Sequence, residues 1–275
     1  MSQLSQWERQ QRIRQGRPIE MLNLTFYPVK MSFYEQFLAC KDALIIRLGT
    51  LPVKYQMKDY LNAVFSLEID ETVKNGAGSG LFSRLLLLMS LSLRIDNFDI
   101  KEYMKGKNIV IRQVGKDLEI VRFKMTQGDN VAEITPQDFS AYIRPLIADQ
   151  NGLELPDDSE NEELVLAQKQ LQEMQSSNQV KLKTDLGSLI SSVAYFSKVS
   201  EREIDDWTIR EFENRFKAID RDKKYTLYGQ AELSGMVTFK KGNPFPSWAY
   251  DSIDETMGTM SASDLGKQLG GVKQK

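Results

Sequence analysis

The sequence contains no histidine and a single cysteine, and these two shortages exclude several kinds of active site. Without histidine there is no Ser-His-Asp or Cys-His nucleophile, no imidazole general base and no imidazole metal ligand. The single cysteine, Cys40, excludes an intrachain disulfide and any metal site built from several cysteines. We expect it to be a small packed residue in a reducing, intracellular compartment. Carboxylate–Mg²⁺ chemistry and lysine chemistry survive these exclusions.

The chain also lacks a strong net charge and a long apolar run. Its formal net charge is −2, which gives no general attraction to nucleic acid or to an acidic membrane surface. The most hydrophobic stretch, 81–95, is shorter than the roughly 20 residues that cross a bilayer, and it contains Arg84 and Arg94. We therefore expect no nucleic-acid partner and no membrane partner, and we interpret 81–95 as the central helix of a core.

What remains is the composition of a folded protein, with 41% hydrophobic and 27% charged residues. A chain of 275 residues is long enough for one large domain or two ordinary ones. The stretch from Glu154 to Glu163 carries six acidic side chains and no basic one, which indicates a domain boundary. Paired carboxylates bind Mg²⁺, but an uninterrupted acidic run is more typical of a solvated linker.

Hydrophobic periodicity predicts a mainly α protein with one β-hairpin (α+β). It consists of a helical N-terminal domain, an acidic linker and a helical C-terminal module. The predicted segments, in chain order, are a flexible basic arm over 1–17, a helical domain over 18–152 with a β-hairpin at 108–125, an acidic or polar linker with an exposed helix over 153–183, a helical module over 184–250 and a flexible tail over 251–275.

Several local signals mark element ends in the N-terminal domain. Ser32 with Glu35 has the spacing of a capping box at a helix start. Thr135 is predicted to cap another helix that has proline at its first position, and Pro145 should kink or end that helix. The glycine-rich stretch 75–80 lacks the Gly-Lys-Ser/Thr ending of a phosphate-binding loop, so we interpret it as a connector.

The C-terminal module carries the strongest helix signals of the chain. Capping-box spacing recurs at Ser200 with Glu203 and at Thr208 with Glu211. Apolar residues then follow at three- and four-residue steps and predict one buried helix face, formed by Ile209, Phe212, Phe216 and Ile219. A second helical register is expected to follow and to stop at Ser234-Gly235.

Aromatic residues outside this periodic face are the candidates for contact with a partner protein. They are Trp207, Tyr225, Tyr228, Phe245 and Trp248. Trp248 follows two prolines and lies outside any helical period, which makes it the foremost candidate. The sequence leaves open whether this tryptophan folds back on the helices or stays free for a partner.

The same region resembles a known group of proteins. The resemblance rests on the string Asp206-Trp207-Thr208-Ile209-Arg210-Glu211-Phe212, on Tyr225-x-x-Tyr228-x-x-Ala231-Glu232-x-Ser234-Gly235, and on Pro246-Ser247-Trp248. Upstream, Asp138-Phe139, Arg144, Gln150-Asn151-Gly152 and Leu155-Pro156-Asp157 fit the same pattern. These residues look like those of proteins encoded among the tail genes of tailed bacteriophages that infect Gram-positive bacteria. Several of those proteins are tail assembly chaperones, and the resemblance covers roughly the C-terminal half.

The resemblance implies a non-enzymatic tail assembly chaperone or tail-morphogenesis factor. Such a protein would bind a phage tail protein, such as the tape measure, in the host cytoplasm, and it would need no catalytic residue, metal or cofactor. Two alternatives stay open, a structural virion component of the tail or connector and a carboxylate- and Mg²⁺-dependent nucleic-acid enzyme. Self-association also stays open.

Overall fold

A computed structural model describes residues 5–76, 78, 80–115, 117–157, 185–235, 239 and 243–249. The chain divides into two compact units. The N-terminal unit comprises Met1–Glu162 with Ser200–Phe212, and the C-terminal unit comprises Glu163–Val199 with Glu213–Lys275. Ser200–Phe212, which the sequence assigns to the module 184–250, thus clusters with the N-terminal unit. The predicted linker from residue 158 onward and the predicted tail lie outside the described residues.

The fold is mainly α with small antiparallel sheets, as the sequence predicts. The helices are α1 (Gln6–Arg14), α2 (Tyr34–Cys40), α3 (Asp42–Ile45), α4 (Val53–Gln56), α5 (Tyr60–Asn75), α6 (Leu81–Leu93), α7 (Ile100–Lys105), α8 (Pro136–Asp138), α9 (Arg144–Asn151), α10 (Leu186–Ser197), α11 (Glu201–Asp206) and α12 (Ile209–Leu233). The strands are β1 (Ile19–Met21), β2 (Leu24–Phe26), β3 (Ile109–Val114), β4 (Asp117–Gln127) and β5 (Asn130–Ile134). Across the described residues, no helix has the length and apolarity of a membrane-spanning segment.

Helix α6 forms the centre of the N-terminal unit, as its apolar run predicts. It contacts α2, α3, α5, α7 and strand β2. Its buried apolar side chains point in several directions around the helix and are Phe82, Leu85, Leu86, Leu88, Met89 and Leu93. A helix that is apolar on several sides is stable only when neighbours cover those sides, which these contacts provide.

The predicted hairpin at 108–125 is confirmed and belongs to a three-stranded sheet of order β3-β4-β5. One face of this sheet packs on α5 through β4 and carries buried apolar residues, among them Ile120, Phe123 and Ile134. The third strand was not predicted from the sequence, because only five residues form it and its alternation is short.

A second hairpin, β1–β2, lies near the start of the domain and was not predicted from the sequence. The two residues between its strands, Leu22 and Asn23, both have positive φ, of 51° and 62°. A two-residue turn with positive φ at both positions matches the right-handed twist of paired strands. Each strand has only three residues, so the hairpin has few backbone hydrogen bonds of its own.

Side-chain amides from distant elements complete the hydrogen bonding of this hairpin. Gln127 at the end of β4 accepts from the Thr25 N–H and donates to the Thr25 carbonyl, both at 2.8 Å. Asn151 at the end of α9 accepts from the Val29 N–H at 2.9 Å. Gln150 donates to a further backbone carbonyl of strand β2 at 3.0 Å. The hairpin is therefore held between the sheet and α9 by amides that act as peptide groups.

The segment 1–17, predicted as a flexible arm, contains helix α1. Ser5 and Glu8 form a capping box at its start, and Ile13 near its end is buried. Arg9 forms an ion pair with Asp149 of α9 at 3.4 Å. A satisfied cap and one buried apolar side chain order this basic segment although it has few apolar residues.

The predicted capping box of Ser32 and Glu35 does not form. Met31 donates its N–H to the carbonyl of Trp207 at 2.9 Å, and a 3₁₀ turn over Met31–Phe33 precedes α2. No side chain caps α2, which begins at Tyr34. Ser32 lies inside this turn and not at an extended position before a helix, so its hydroxyl is not placed to cap α2.

The predicted cap at Thr135 is confirmed, and its hydroxyl accepts from the Asp138 N–H at 3.1 Å. Pro145, in contrast, does not end the helical path. A π turn over Phe139–Ile143 widens the backbone before the proline, which then lies in the first turn of α9. The path continues to Asn151, and Gly152 ends it with a φ of 71°.

Two adjacent leucines in α6 differ in burial, one being fully buried and the other partly exposed. Leu88 is 0% exposed, whereas Leu87 is only half-buried. We expect Leu88→Ala to lower the free energy of unfolding by about 2–5 kcal/mol, because it leaves a cavity in the core. Leu87→Ala should cost clearly less. Urea denaturation of both variants measures the difference, and equal losses would contradict the central position of α6.

The amide of Asn151 provides a second test of the N-terminal unit. Asn151→Leu leaves the buried Val29 N–H without its acceptor, so we expect a loss of about 1–3 kcal/mol in the free energy of unfolding. Gln36→Leu, at an exposed position of α2, serves as the matched control and should change stability little. If the two variants melt alike, the amide–backbone bond does not support the hairpin.

Candidate functional site

Helix α10 begins the described part of the C-terminal unit. Asp185 caps it by accepting from the Ser188 N–H at 3.1 Å, and this backbone hydrogen bond lowers the pKa of Asp185. Near its other end, Tyr195 and Phe196 expose their rings, which meet edge to face at 5.2 Å. Neither residue is among the candidates predicted from the sequence. Adjacent helical residues point about 100° apart, so a neighbouring aromatic pair signals that at least one ring leaves the core face.

Helix α12 is one continuous helix of 25 residues and includes both predicted registers. Thr208 accepts from the Glu211 N–H at 3.1 Å, as its capping-box spacing predicts. Phe212 is 2% exposed, but Phe216, predicted for the same buried face, is 41% exposed. The prediction of a buried Phe216 is therefore wrong. Helical periodicity shows which way a side chain points, but it does not show how far along the helix the covering residues extend. Phe212 is the last residue of the N-terminal unit.

An aromatic cluster lies along the C-terminal part of α12. The ring of Tyr228 stacks on Phe239 at 5.6 Å and meets Phe245 edge to face at 4.9 Å. The ammonium of Lys224 lies 5.5 Å from the centre of the Phe245 ring. Aromatic contacts at these distances contribute beyond their buried area, so the cluster fixes the chain after the helix against it.

Residues 243–249, which we call the C-terminal loop, are tied to α12 at both ends. Asn243 donates to the Glu232 carboxylate at 3.3 Å, and Arg221 donates to the Ala249 carbonyl at 2.8 Å. Phe245 inserts between these two attachments. Trp248 nevertheless remains 64% exposed. The loop folds back on the helix, while its tryptophan does not bury its ring there.

The five candidate residues thus occupy different settings. Tyr228 and Phe245 pack on each other, and Tyr225 is exposed on α12. Trp207 is half-buried in the N-terminal unit, where its carbonyl accepts from the Met31 N–H at 2.9 Å. The structure therefore places Tyr225, Tyr228, Phe245 and Trp248 in the C-terminal unit, whereas Trp207 belongs to the N-terminal unit.

The glycine-rich stretch 75–80 connects α5 to α6, as predicted. The first N–H groups of α6, on Phe82 and Ser83, donate to one carboxylate oxygen of Glu68 at 2.6 and 3.2 Å. A helix N-terminus attracts anions because its N–H groups are unpaired and its dipole is positive there. Here a carboxylate of the same chain already takes that position, so the stretch does not offer its helix start to a phosphate.

Other chemical features of the described residues have structural explanations. Cys40 is buried, and desolvation raises the pKa of its thiol, which lowers the reactive thiolate fraction. A groove of about 210 Å³ lies against α5, α6 and α7, and its lining is mostly apolar, including Phe65 and Met104. This volume is below the roughly 300–1,000 Å³ of common cofactor sites. Within the described ranges, no three His, Cys, Asp or Glu side chains form a metal-binding group.

Comparison with known proteins gives one match. A family model described as the YomV second domain matches residues 175–252, and this match points to a phage-associated protein. No curated protein and no solved structure matches the chain. The matched range contains α10, α11, α12 and the C-terminal loop, so it includes all five candidate residues.

The contrast between two phenylalanines on α12 gives a direct test. We expect Phe212→Ala to lower the free energy of unfolding by about 3–5 kcal/mol, since it empties a buried site. Phe216→Ala should cost about 1 kcal/mol or less, because its ring is already largely in solvent. Thermal and urea denaturation of both variants measure this. A larger loss for Phe216→Ala would show that its ring is buried.

Proposed function

We propose that the protein is a non-enzymatic phage tail assembly chaperone or tail-morphogenesis factor. It binds a phage tail protein, such as the tape measure, through exposed aromatic side chains of its C-terminal unit. The observation that carries this proposal is Trp248, a large aromatic side chain held by an ordered loop and left mostly in solvent. Exposed aromatic residues grouped on one unit are typical of protein interaction sites.

The exposed aromatic side chains of the C-terminal unit support a binding role. They are Tyr195, Phe196, Phe216, Tyr225 and Trp248. Tryptophan and tyrosine bury a large area at an interface with few rotatable bonds to order. Lys223 lies 4.4 Å from the centre of the Phe196 ring, so a cation accompanies one of these exposed rings. Apolar rings accompanied by charge suit a protein that must stay in solution before its partner binds.

The attachment of the C-terminal loop favours Trp248 as the main contact. Asn243, Phe245 and Ala249 fix the loop on both sides of the tryptophan. Proline at 244 and 246 restricts the backbone further. A side chain that is ordered before binding loses less conformational entropy when it binds. The loop therefore presents its tryptophan at a low entropic cost.

The phage assignment is supported by the YomV second-domain match over 175–252, which contains the C-terminal loop. The resemblance to tail-gene products in 206–248 supports the tail role in particular. Both lie in the part of the chain that carries the exposed aromatic residues. We therefore propose the C-terminal unit as the part that recognises the tail protein.

Two equally exposed tryptophans allow a controlled test. Trp248 is 64% exposed in the C-terminal loop, and Trp7 is 65% exposed in α1 of the N-terminal unit. We expect Trp248→Ala to weaken binding of the tape-measure protein about thirtyfold, as is common for an interface tryptophan. Trp7→Ala should leave binding unchanged, and neither variant should change the melting temperature appreciably. Pull-down and calorimetry with the tape-measure protein from the same phage measure this.

Two outcomes would contradict the proposal. If Trp7→Ala and Trp248→Ala weaken binding equally, the C-terminal loop is not the specific contact. If the protein binds no tail protein and does not keep one soluble on co-expression, the chaperone role fails. Mass spectrometry of mature particles separates the alternative role, because a structural tail component stays in the particle and an assembly chaperone leaves it.

A further inference from the structure

We propose that the protein forms a weak symmetric dimer in which strand β3 pairs antiparallel with β3 of a second copy, centred on Ile111. The pairing would extend the sheet β3-β4-β5 to six strands. This interaction lies in the N-terminal unit and does not depend on the proposed tail partner. Its test therefore stands apart from the test of the proposed function.

Strand β3 is an edge strand with an open outer side. It pairs with β4 on one side, and among the described residues no strand pairs with the other. All its side chains after Ile109 are exposed, including apolar Val110 and Val114. An open edge with apolar side chains is a template for pairing with another strand.

The hydrogen bonds of the opposite residue show which way the Ile111 backbone points. Ile111 lies opposite Ile120 on β4. Ile120 donates its N–H to Asn62 at 2.7 Å, and its carbonyl accepts from the Asn62 amide at 3.3 Å. Both polar groups of Ile120 are thus directed away from β3. In an antiparallel ladder such a pair shares no hydrogen bond, so the N–H and carbonyl of Ile111 point to the open edge.

The backbone N–H and carbonyl groups of Ile109 and Gln113 also point to the open edge, because these groups alternate in direction from one strand residue to the next. The open edge therefore presents three N–H groups and three carbonyls at regular spacing. On β4 the corresponding groups of Ile120 are satisfied by Asn62. No comparable side chain covers the edge of β3 within the described part of the chain.

Strand β3 lacks the usual devices that block an edge. It contains no proline, no lysine and no acidic residue. Its single charge, Arg112, is paired with Glu119 of β4 at 3.7 Å. The register shift in this hairpin lies between Val110 and Ile111, opposite an extra residue on β4, so β3 itself keeps its regular spacing.

A second copy fits this edge in a register that keeps like charges apart. In a continuous sheet formed by two copies, residues directly opposite each other place their side chains on the same face. Because side chains alternate between faces, each pair must join two odd-numbered or two even-numbered residues. Placing Arg112 opposite Arg112 would set like charges against each other. If the two-fold axis passes beside Ile111, Ile111 lies opposite Ile111 of the second copy, and Arg112 lies opposite Val110 of that copy. This register also pairs the outward groups of Ile109 with those of Gln113.

This register favours a second copy as the occupant, because the strand complements itself in hydrogen bonding and apolar contact and sets no like charges opposite each other. The interface is small, however. A six-residue strand buries less than the roughly 1,200–2,000 Å² of stable complexes. We therefore expect a dimer that forms as the protein concentration rises and dissociates on dilution.

Disulfide trapping tests the register with two equally exposed positions. Ile111 is 43% exposed and Val114 is 44% exposed, and Cys40, the only native cysteine, is buried. In the proposed register the two copies of residue 111 lie about 5.5 Å apart between Cα atoms, which suits a disulfide. The two copies of residue 114 lie ~20 Å apart. We expect Ile111→Cys to cross-link at least tenfold faster than Val114→Cys under mild oxidation.

Analytical ultracentrifugation over a concentration series tests the dimer without a disulfide. Ile111→Lys places like charges opposite each other at the axis and should weaken dimerisation by roughly tenfold or more. Val131→Lys, at an exposed position of β5 in the same sheet, is the matched control and should not weaken it. Circular dichroism checks that both variants stay folded.

Each result supports or overturns the proposal. A concentration-dependent dimer that Ile111→Lys weakens and Val131→Lys does not, together with preferential cross-linking at 111, supports it. A wild-type chain that stays monomeric over the whole series overturns it. So does a dimer that Ile111→Lys does not affect, or a Val114→Cys variant that cross-links as fast as Ile111→Cys.

Discussion

The N-terminal unit depends on side-chain amides that bond to backbone groups as if they were peptide units. A strand residue cannot satisfy its N–H and carbonyl groups on a side where no other strand pairs with it, and an amide supplies both a donor and an acceptor. Asn62 provides this for Ile120, and Gln127 provides it for Thr25. Because each amide comes from another element, every such bond also fixes the packing of that element. Removing one partner leaves a buried polar group unpaired, which costs more than the bond contributes.

Some of these hydrogen bonds connect segments that are far apart in the sequence. The N–H of Val29 donates to Asn151 at 2.9 Å, while its carbonyl accepts from the Ile209 N–H at 3.0 Å. Met31 then donates to Trp207, so the start of α12 is bonded to the chain just after β2. The resemblance to tail-gene products includes Asn151, Trp207 and Ile209. In this structure Asn151 bonds to backbone through its side-chain amide, and Trp207 and Ile209 do so through their own backbone groups.

The sequence predicts the elements whose causes are local. The cap at Thr135, the hairpin at 108–125 and the apolar helix over 81–95 each depend on residues within one or two turns. It does not predict the β1–β2 hairpin, whose amide partners lie more than 100 residues away, at Gln127 and Asn151. The Ser32 cap does not form because Ser32 lies within a 3₁₀ turn and not at an extended position before the helix. Local sequence patterns do not predict a short element whose hydrogen-bond partners lie far along the chain.

The candidate site was also predicted only in part from local sequence patterns. Helical periodicity gives the direction of Phe212 and Phe216 correctly, but only the tertiary structure shows that the cover ends between them. Tyr228 and Phe245, selected because they are not part of the predicted buried face, pack on each other and hold the loop that exposes Trp248. Strand β3 differs physically, since it offers backbone groups in a fixed register. The proposed aromatic contact would select a partner by side-chain shape, whereas the proposed strand pairing would select one by hydrogen-bond register.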